Sequence, residues 1–456
     1  MDGSRDVTAS GAEWERAMVL LREVLAPQLL AEWQPTAPQA VYSTWVTVWL
    51  LVFQRLNRYA SLVSAVGAFL ESMATMSSSQ RVRVEALSPR SGGFSRARTR
   101  LLVTVAEQAA DQVFHSLLQP LPQGETGPKG IAGRRVFVVD GTSIALSSEA
   151  VLRQKWPPSG NPHGTGPWPI CHLALLHELE SGLTMRPEPG AMYGPEAESE
   201  IVLAQRMIPR IPTPSVLLAD RNFGVYGFVY HAVQAGHECI TRLAEHRFRA
   251  MQQNAQPLRP GVWTLDWKPT KANRKTNPDL PSDAVLSVQL HQFQGHSGQT
   301  LWIVTTLDIE TTELAAIDAR RAEIETDIRQ WKHTLEREGL RGRSVEMILK
   351  ELAMAAIAYN LVVQVRHLAS QQAGAPAKRI SFSGAWTLCT QLRFAQRDLT
   401  PDQWAARFQF TLNKIQQLQL PNRPRRSYPR TAYSKRSKYP PKTRPDPPPD
   451  TNPPRK

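Results

Sequence analysis

The sequence predicts an α/β protein in which a mixed sheet forms a core between helical segments. Three observations predict it. Short β-branched runs at 135–140, 215–220 and 238–243 stand between stretches of helical period. Apolar residues make up 41% of the 456, enough to bury a sizeable core. The texture of the chain changes near 134, 246, 311 and 421, which divides it into segments of different composition.

Taken in order, residues 12–31 and 40–72 repeat apolar side chains every three or four positions, and Pro35 and Pro38 separate them. The most apolar stretch, 41–53, falls short of the roughly 20 residues that a membrane helix needs, so it reads as a buried core helix. No secretory signal is expected in the polar, mixed-charge residues 1–16. These readings give a soluble, intracellular protein with no membrane partner. Ser91-Gly92-Gly93 is a turn, and 94–118 is helical with Arg96, Arg98 and Arg100 at its start. Residues 1–120 thus read as a helical N-terminal domain. Its basic helix start suits docking on DNA, or else an ordinary bundle with solvated arginines.

Residues 119–133 hold three prolines and four glycines and read as a linker. The core follows over 134–245. Its strands are 135–140, 170–177, 182–186, 215–220 and 238–243, and its helices are 196–211 and 228–235. Residues 246–310 carry prolines, Trp263, Trp267 and alternating runs at 284–292 and 299–306, a β-rich insertion. One long helix is expected over 311–338 and a strongly apolar one over 344–368, within a helical segment 311–420. There is no internal repeat.

The remaining segment, 421–456, holds eleven Lys/Arg against two Asp, so it carries +9 of the net charge of +14. It also holds 11 of the 36 prolines. It lacks the apolar surface to offset its ordering entropy and is expected to be a disordered basic tail. The charge predicts a polyanionic partner, nucleic acid before an anionic membrane surface. Cys171, Cys239 and Cys389 lie far apart with no CxxC, which excludes a disulfide scaffold and a zinc ribbon and fits a reducing compartment.

Candidate chemistry lies at the strand ends. Asp140 and Asp220 each terminate an apolar run, and strand ends of an open α/β sheet are where ligands bind. Carboxylates gathered there repel one another unless a cation lies between them. Such a set suits Mg²⁺, which takes oxygen ligands, and two ions can activate a water or a 3′-hydroxyl and stabilise the leaving oxygen. The plainer reading of each Asp is a turn residue. A third carboxylate is drawn from Glu313, Asp318, Glu323, Glu325 and Asp327, and spacing alone does not choose among them. Arg221 and Arg242, near strand ends, suit a DNA phosphate or a structural ion pair. His163, His172 and His177 are irregularly spaced within the expected sheet and read as structural. Trp263 and Trp267 suit core packing, or stacking on an unpaired base.

Three ordered blocks carry a resemblance. Phe137-Val-Val-Asp140-Gly-Thr, Leu217-Leu-Ala-Asp220-Arg-Asn-Phe223 and the stretch from Glu325 to Lys332 resemble the signature blocks of a DDE transposase of the Insertion Sequence four family. That family has a Tyr-Arg-Glu-Lys signature, and Arg321, Glu325 and Lys332 match its spacing. The text from Leu340 to Leu361, the basic Pro-rich C-terminus and Phe94-Ser-Arg-Ala-Arg98-Thr-Arg-Leu are also similar, so the resemblance spans about residues 90–450.

The resemblance implies a ribonuclease H-like catalytic core with the insertion between the second Asp and the Glu. It implies Asp140, Asp220 and Glu325 as catalytic metal ligands for two Mg²⁺, with Mn²⁺ as a substitute. Arg321 and Lys332 become contacts to DNA phosphates. The implied partners are double-stranded DNA (terminal inverted repeats and target) and a second copy of the chain, in a bacterial cytoplasm at the nucleoid. Two positions depart from the pattern: Asp318 stands where the signature has Tyr, and Ala322 where Trp usually follows the Arg. These departures bear on DNA-end handling. They also motivate the alternative of an inactive, DNA-binding derivative that acts as a repressor. A nuclease of the same fold unrelated to mobility is the third reading.

Overall fold

The computed structural model describes residues 24–37, 40–57, 61–73, 88–119, 131, 133–161, 164–295, 298–321, 323–336, 340–374, 376–394 and 401–420. The expected tail over 421–456, most of the linker, and the first expected helix up to residue 23 lie outside them.

A nine-stranded mixed sheet carries the core. Its centre is β1 (Arg135–Ala145), whose Val136, Phe137, Val138 and Val139 are all buried. Such runs are expected of strands covered on both faces. On one side β1 pairs antiparallel with β4 (Ile170–Glu178), and β4 pairs with β5 (Glu188–Ala191). On the other side it pairs parallel with β6 (Ser215–Ala219), and β6 with β7 (Glu238–Arg242). Two-residue strands β2 (Gly160–Asn161) and β3 (Gly164–Thr165) form a separate small ribbon. Helices α6 (Ala150–Lys155) and α7 (Glu200–Met207) lie between these strands in sequence. The parallel step from β6 to β7 is bridged by α8 (Tyr226–Gln234).

The strand expected over 182–186 is absent. There the chain turns through Gly182 (φ 75°), and Thr184 makes only an isolated bridge to His177. On its outer side lies α13 (Val345–Ala373), whose Asn360 side chain takes both backbone groups of Thr184. Its Oδ1 accepts from Thr184 N at 2.9 Å, and its Nδ2 donates to Thr184 O at 2.8 Å. Toward β4, Leu183 O accepts from Glu178 N at 2.8 Å and Met185 N donates to Leu176 O at 3.0 Å, so the expected strand is reduced to this one bridge, with Asn360 closing its outer edge. The third strand is β5 instead.

Residues 246–310 continue the same sheet. After α9 (Glu245–Gln252), β8 (Gln256–Arg259), β9 (Val262–Trp267), β10 (Leu286–Gln294) and β11 (Thr300–Thr305) form a meander, with the short α10 (Lys271–Thr276) between β9 and β10. The strand β11 joins β7 antiparallel, with Ile303 opposite Arg242. These four strands extend the central sheet. The two short helices among them were not foreseen.

The long helix expected over 311–338 is two helices, α11 (Thr311–Arg320) and α12 (Glu323–Glu336), with Arg321 in a turn between them. Side chains hold this break. Arg320 pairs with both Glu180 and Glu323, and Lys378 pairs with Glu323 and Asp327 at 3.0 Å each.

Around α13 pack α2 (Thr44–Leu56), α5 (Val103–Leu118), α14 (Phe382–Phe394) and α15 (Pro401–Gln416). The remaining N-terminal helices, α1 (Pro27–Trp33), α3 (Leu62–Met73) and α4 (Gly92–Arg100), pack on α2. Ser43 starts α2 by accepting Val46 N, and Ser344 starts α13 by accepting Met347 N at 3.3 Å. Length and composition would let α13 cross a membrane, but its surface is mostly buried in this core.

Two charged side chains tie the N-terminal helices to α13. Lys350 is 1% exposed and donates to the carbonyls of Arg98 and Thr99, which end α4. Glu351 faces Arg55 and Arg98 and accepts from Arg341 N and Gly342 N. The described residues up to Gln419 form one compact unit with a continuous core. Of the three arginines expected to make a basic start at 96–100, Arg98 is thus engaged inside the protein.

Candidate active site

The site grows from the register of the two central parallel strands. Val139 of β1 lies opposite Ala219 of β6, and Asp140 and Asp220 follow directly. Beyond this point β1 runs on to Ala145 and pairs only with β4, whereas β6 stops. The two aspartates therefore stand where the strands part, at the carboxyl edge of parallel strands.

Asp140 is half-buried, and its Oδ1 accepts from Gly141 N at 2.8 Å. Burial raises its pKa to about 6. The charges of Asp220 and Glu200 add to the rise, while the Gly141 hydrogen bond and Arg321 oppose it. Asp220 turns its Oδ1 onto Asn222 N at 2.8 Å, which shapes the loop into α8. Arg221, next in that loop, is exposed.

Arg321 sits in the α11–α12 turn, and α12 packs on β1 and β4. Its charge acts on Asp140, and its buried Nε has no hydrogen-bond partner among the described residues. Glu325 is exposed in the first turn of α12, and Lys332 is half-buried two turns further on. The structure thus brings together Asp140, Asp220 and Arg321. It does not gather Glu325 with the aspartates, and no cluster of three His, Cys, Asp or Glu that could hold a metal occurs among the described residues.

Arg242 has a different occupation from the expected phosphate contact. Its Nε and Nη2 donate to Asp318 Oδ1 and Oδ2 at 2.9 and 2.7 Å. Asp318 is 2% exposed. The acid in the signature Tyr position therefore neither faces solvent nor stands bare before DNA. It is neutralised inside the fold by Arg242, which belongs to an ion pair.

Sequence reasoning missed Glu200 and His172. The helix expected over 196–211 begins only at Glu200, after an N-cap at Ser199. This places the Glu200 carboxyl group directly over Gly141, where a Cβ would collide with it. His172, opposite Ser143 in the β1–β4 ladder, brings Nε2 within 3.5 Å of Glu200 Oε1 and Nδ1 within 3.1 Å of Glu198 O. The hydrogen bond to Glu200 raises the His172 pKa. Asp-Gly at 140–141 is the one local hint, since it leaves room beside Asp140. His163 lies outside the described residues. His177 is buried in the core against Tyr359. Trp267 is nearly buried and packs edge-on to Tyr226, and Trp263 packs on Phe248.

The pair of strand-end carboxylates fits a hard cation: mutual repulsion and burial make the anionic state of Asp140 costly unless a positive charge is supplied. The model of the transposase DDE domain matches residues 131–361, from the bridge before β1 into α13. The chain belongs to the DDE transposase family. Comparison with curated proteins gives no match. Among solved structures, this transposase is similar to a piggyBac transposase synaptic complex with hairpin DNA, seen by cryo-electron microscopy. The two share 9% identity with a TM-score of 0.42, over 90% of this chain and 86% of that one. At that level the likeness carries no argument about fold or substrate.

Proposed function

We propose that this transposase belongs to the Insertion Sequence four family and moves a bacterial insertion sequence by cut-and-paste, in the cytoplasm at the nucleoid. The observation that carries the reading is the placement of Asp140 and Asp220 side by side at the parting of β1 and β6, with Arg321 beside them. The sheet order, three antiparallel strands joined to two parallel ones, supports a ribonuclease H-like core.

In this reading Asp140 and Asp220 would hold two Mg²⁺ or, in substitution, Mn²⁺, and Glu325, exposed on α12 and apart from them here, would join once α12 and DNA come together. Such ions, when bound, supply an activated water or hydroxyl and stabilise the leaving oxygen. The chain's own groups position the DNA. Arg321, half-buried beside Asp140, offers its guanidinium to a phosphate oxygen next to the scissile bond. Lys332, further along α12, and the exposed Arg221 hold neighbouring phosphates. Water attack nicks one strand at the terminal inverted repeat, and the freed 3′-hydroxyl then attacks the other strand or the target. Two ends cut together call for a homodimer on DNA.

Ala322 in place of the usual Trp favours the second reading, a repressor that binds without cleaving. The test is cleavage of a plasmid carrying the gene's own flanks, with Mg²⁺, by wild type and Asp140→Asn. Nicks at defined flanking positions, lost in the variant, support the transposition reading. Equal retention of the flanks by both proteins with no cleavage leaves the repressor. Cleavage with no preference for the flanks points to a nuclease.

A further inference from the structure

We infer that Glu200, oriented by His172 and seated on Gly141, is a further acidic group of the cation site, a positioning residue beside Asp140. The inference rests on the reading of Asp140 and Asp220 as the cation-holding pair.

Three observations carry it. The first is place. Glu200 opens α7 directly over Gly141, so no side chain separates it from the strand residue after Asp140, and its charge reaches Asp140. The second is pairing. The neighbouring acids of this segment have strong cations: Glu196 faces Lys155, and Glu198 pairs with Arg206. Glu200 has no Lys or Arg partner among the described residues, only His172 at 3.5 Å. A His partner orients a carboxylate and is a weaker, titratable counter-charge than Lys or Arg. The third is support. The other ring nitrogen of His172 lies against the Glu198 carbonyl, and the His172 side chain is 8% exposed, so the ring is fixed in place. A carboxylate held by a fixed second partner, beside Asp140 and without a Lys or Arg counter-charge, is suited to a cation. Groups of this kind typically change metal affinity about 10- to 100-fold when altered. The N-terminal end of α7 makes the anion tolerable until the cation arrives.

The experiment is Mn²⁺ binding to the full chain without DNA, followed by electron paramagnetic resonance, with melting of the metal-free protein alongside. Glu200→Gln keeps the shape over Gly141 and removes the charge. It is expected to weaken Mn²⁺ binding about tenfold, while the metal-free protein melts no lower than wild type because a repelling charge is gone. His172→Gln, which loosens the carboxylate without removing it, is expected to weaken binding by a smaller factor. Glu200→Gln binding Mn²⁺ like wild type, while Asp140→Asn does not bind, overturns the inference and makes Glu200 a structural acid. Wild-type binding by both Asp140→Asn and Glu200→Gln overturns the reading of the site itself. A metal-free melt well below wild type for Glu200→Gln, with Mn²⁺ affinity retained by His172→Gln, also counts against it.

Discussion

Placing at position 318 the Tyr of the signature that this sequence resembles is expected to damage this protein. Asp318 is 2% exposed and accepts two hydrogen bonds from Arg242, whose side chain is 27% exposed. Removing one partner of a buried ion pair costs about 3–5 kcal/mol. The partial exposure of Arg242 lets water recover part of this, so Asp318→Asn is expected near the lower end, about 3 kcal/mol. Asp318→Tyr removes the same charge and adds a ring to a filled slot, a further cost of about 1–3 kcal/mol. The assay is urea unfolding of the full chain, with a double-mutant cycle to Arg242→Leu. Asp318→Leu and Arg242→Leu are each expected to be destabilised, and the double Asp318→Leu/Arg242→Leu to lose less than their sum by about 2 kcal/mol or more. Cleavage of the flanking DNA by Asp318→Tyr should fall with stability. A Tyr variant as stable as wild type and more active would refute the argument, and would return Asp318 to the role of a damaged DNA contact.

Three further outcomes are expected. Gly141→Ala places a methyl group on the Glu200 carboxyl group, so it should lower both the melting temperature and Mn²⁺ affinity, whereas Gly133→Ala, with no atom near its Cβ position, should leave affinity alone. Arg321→Ala removes a cation whose Nε has no hydrogen-bond partner among the described residues, so DNA binding and cleavage should fall while the free energy of urea unfolding changes by less than about 1 kcal/mol; a large loss of stability would show a structural role instead. Burial lowers the pKa of His177 to about 4 from the ordinary 6.5, so the folded state holds it neutral. Its contribution is therefore complete above pH 6.5 and is lost as pH falls toward 4, by about 3 kcal/mol in all. His177→Leu should flatten that part of the stability–pH curve, and an unchanged slope would show that other groups set it.

Much of the sheet was legible along the chain. The runs at 135–140 and 215–220 announced β1 and β6 because strands buried on both faces must be continuously apolar. The two aspartates stood out because each ended such a run. The strand expected over 182–186 shrank to one bridge against His177, and its outer edge is closed by Asn360, some 176 residues away, a partner that no local pattern records. The single helix expected over 311–338 failed for a similar reason: Asp318, Arg320 and Glu323 are good helix-surface residues locally, yet Arg242, Glu180 and Lys378 claim them from elsewhere.

By itself the sequence determined which segments are apolar and their period, where the charge accumulates, and which carboxylates end strands. Those are local properties, set by the chemistry of neighbouring residues. Only the tertiary structure decided which charges meet. It set Asp140 beside Asp220 through the β1–β6 register, laid Glu200 on Gly141, and gave Arg242 to Asp318 rather than leaving it for DNA. Electrostatic partnership depends on distance and burial, and residues far apart in the chain acquire both only when it folds.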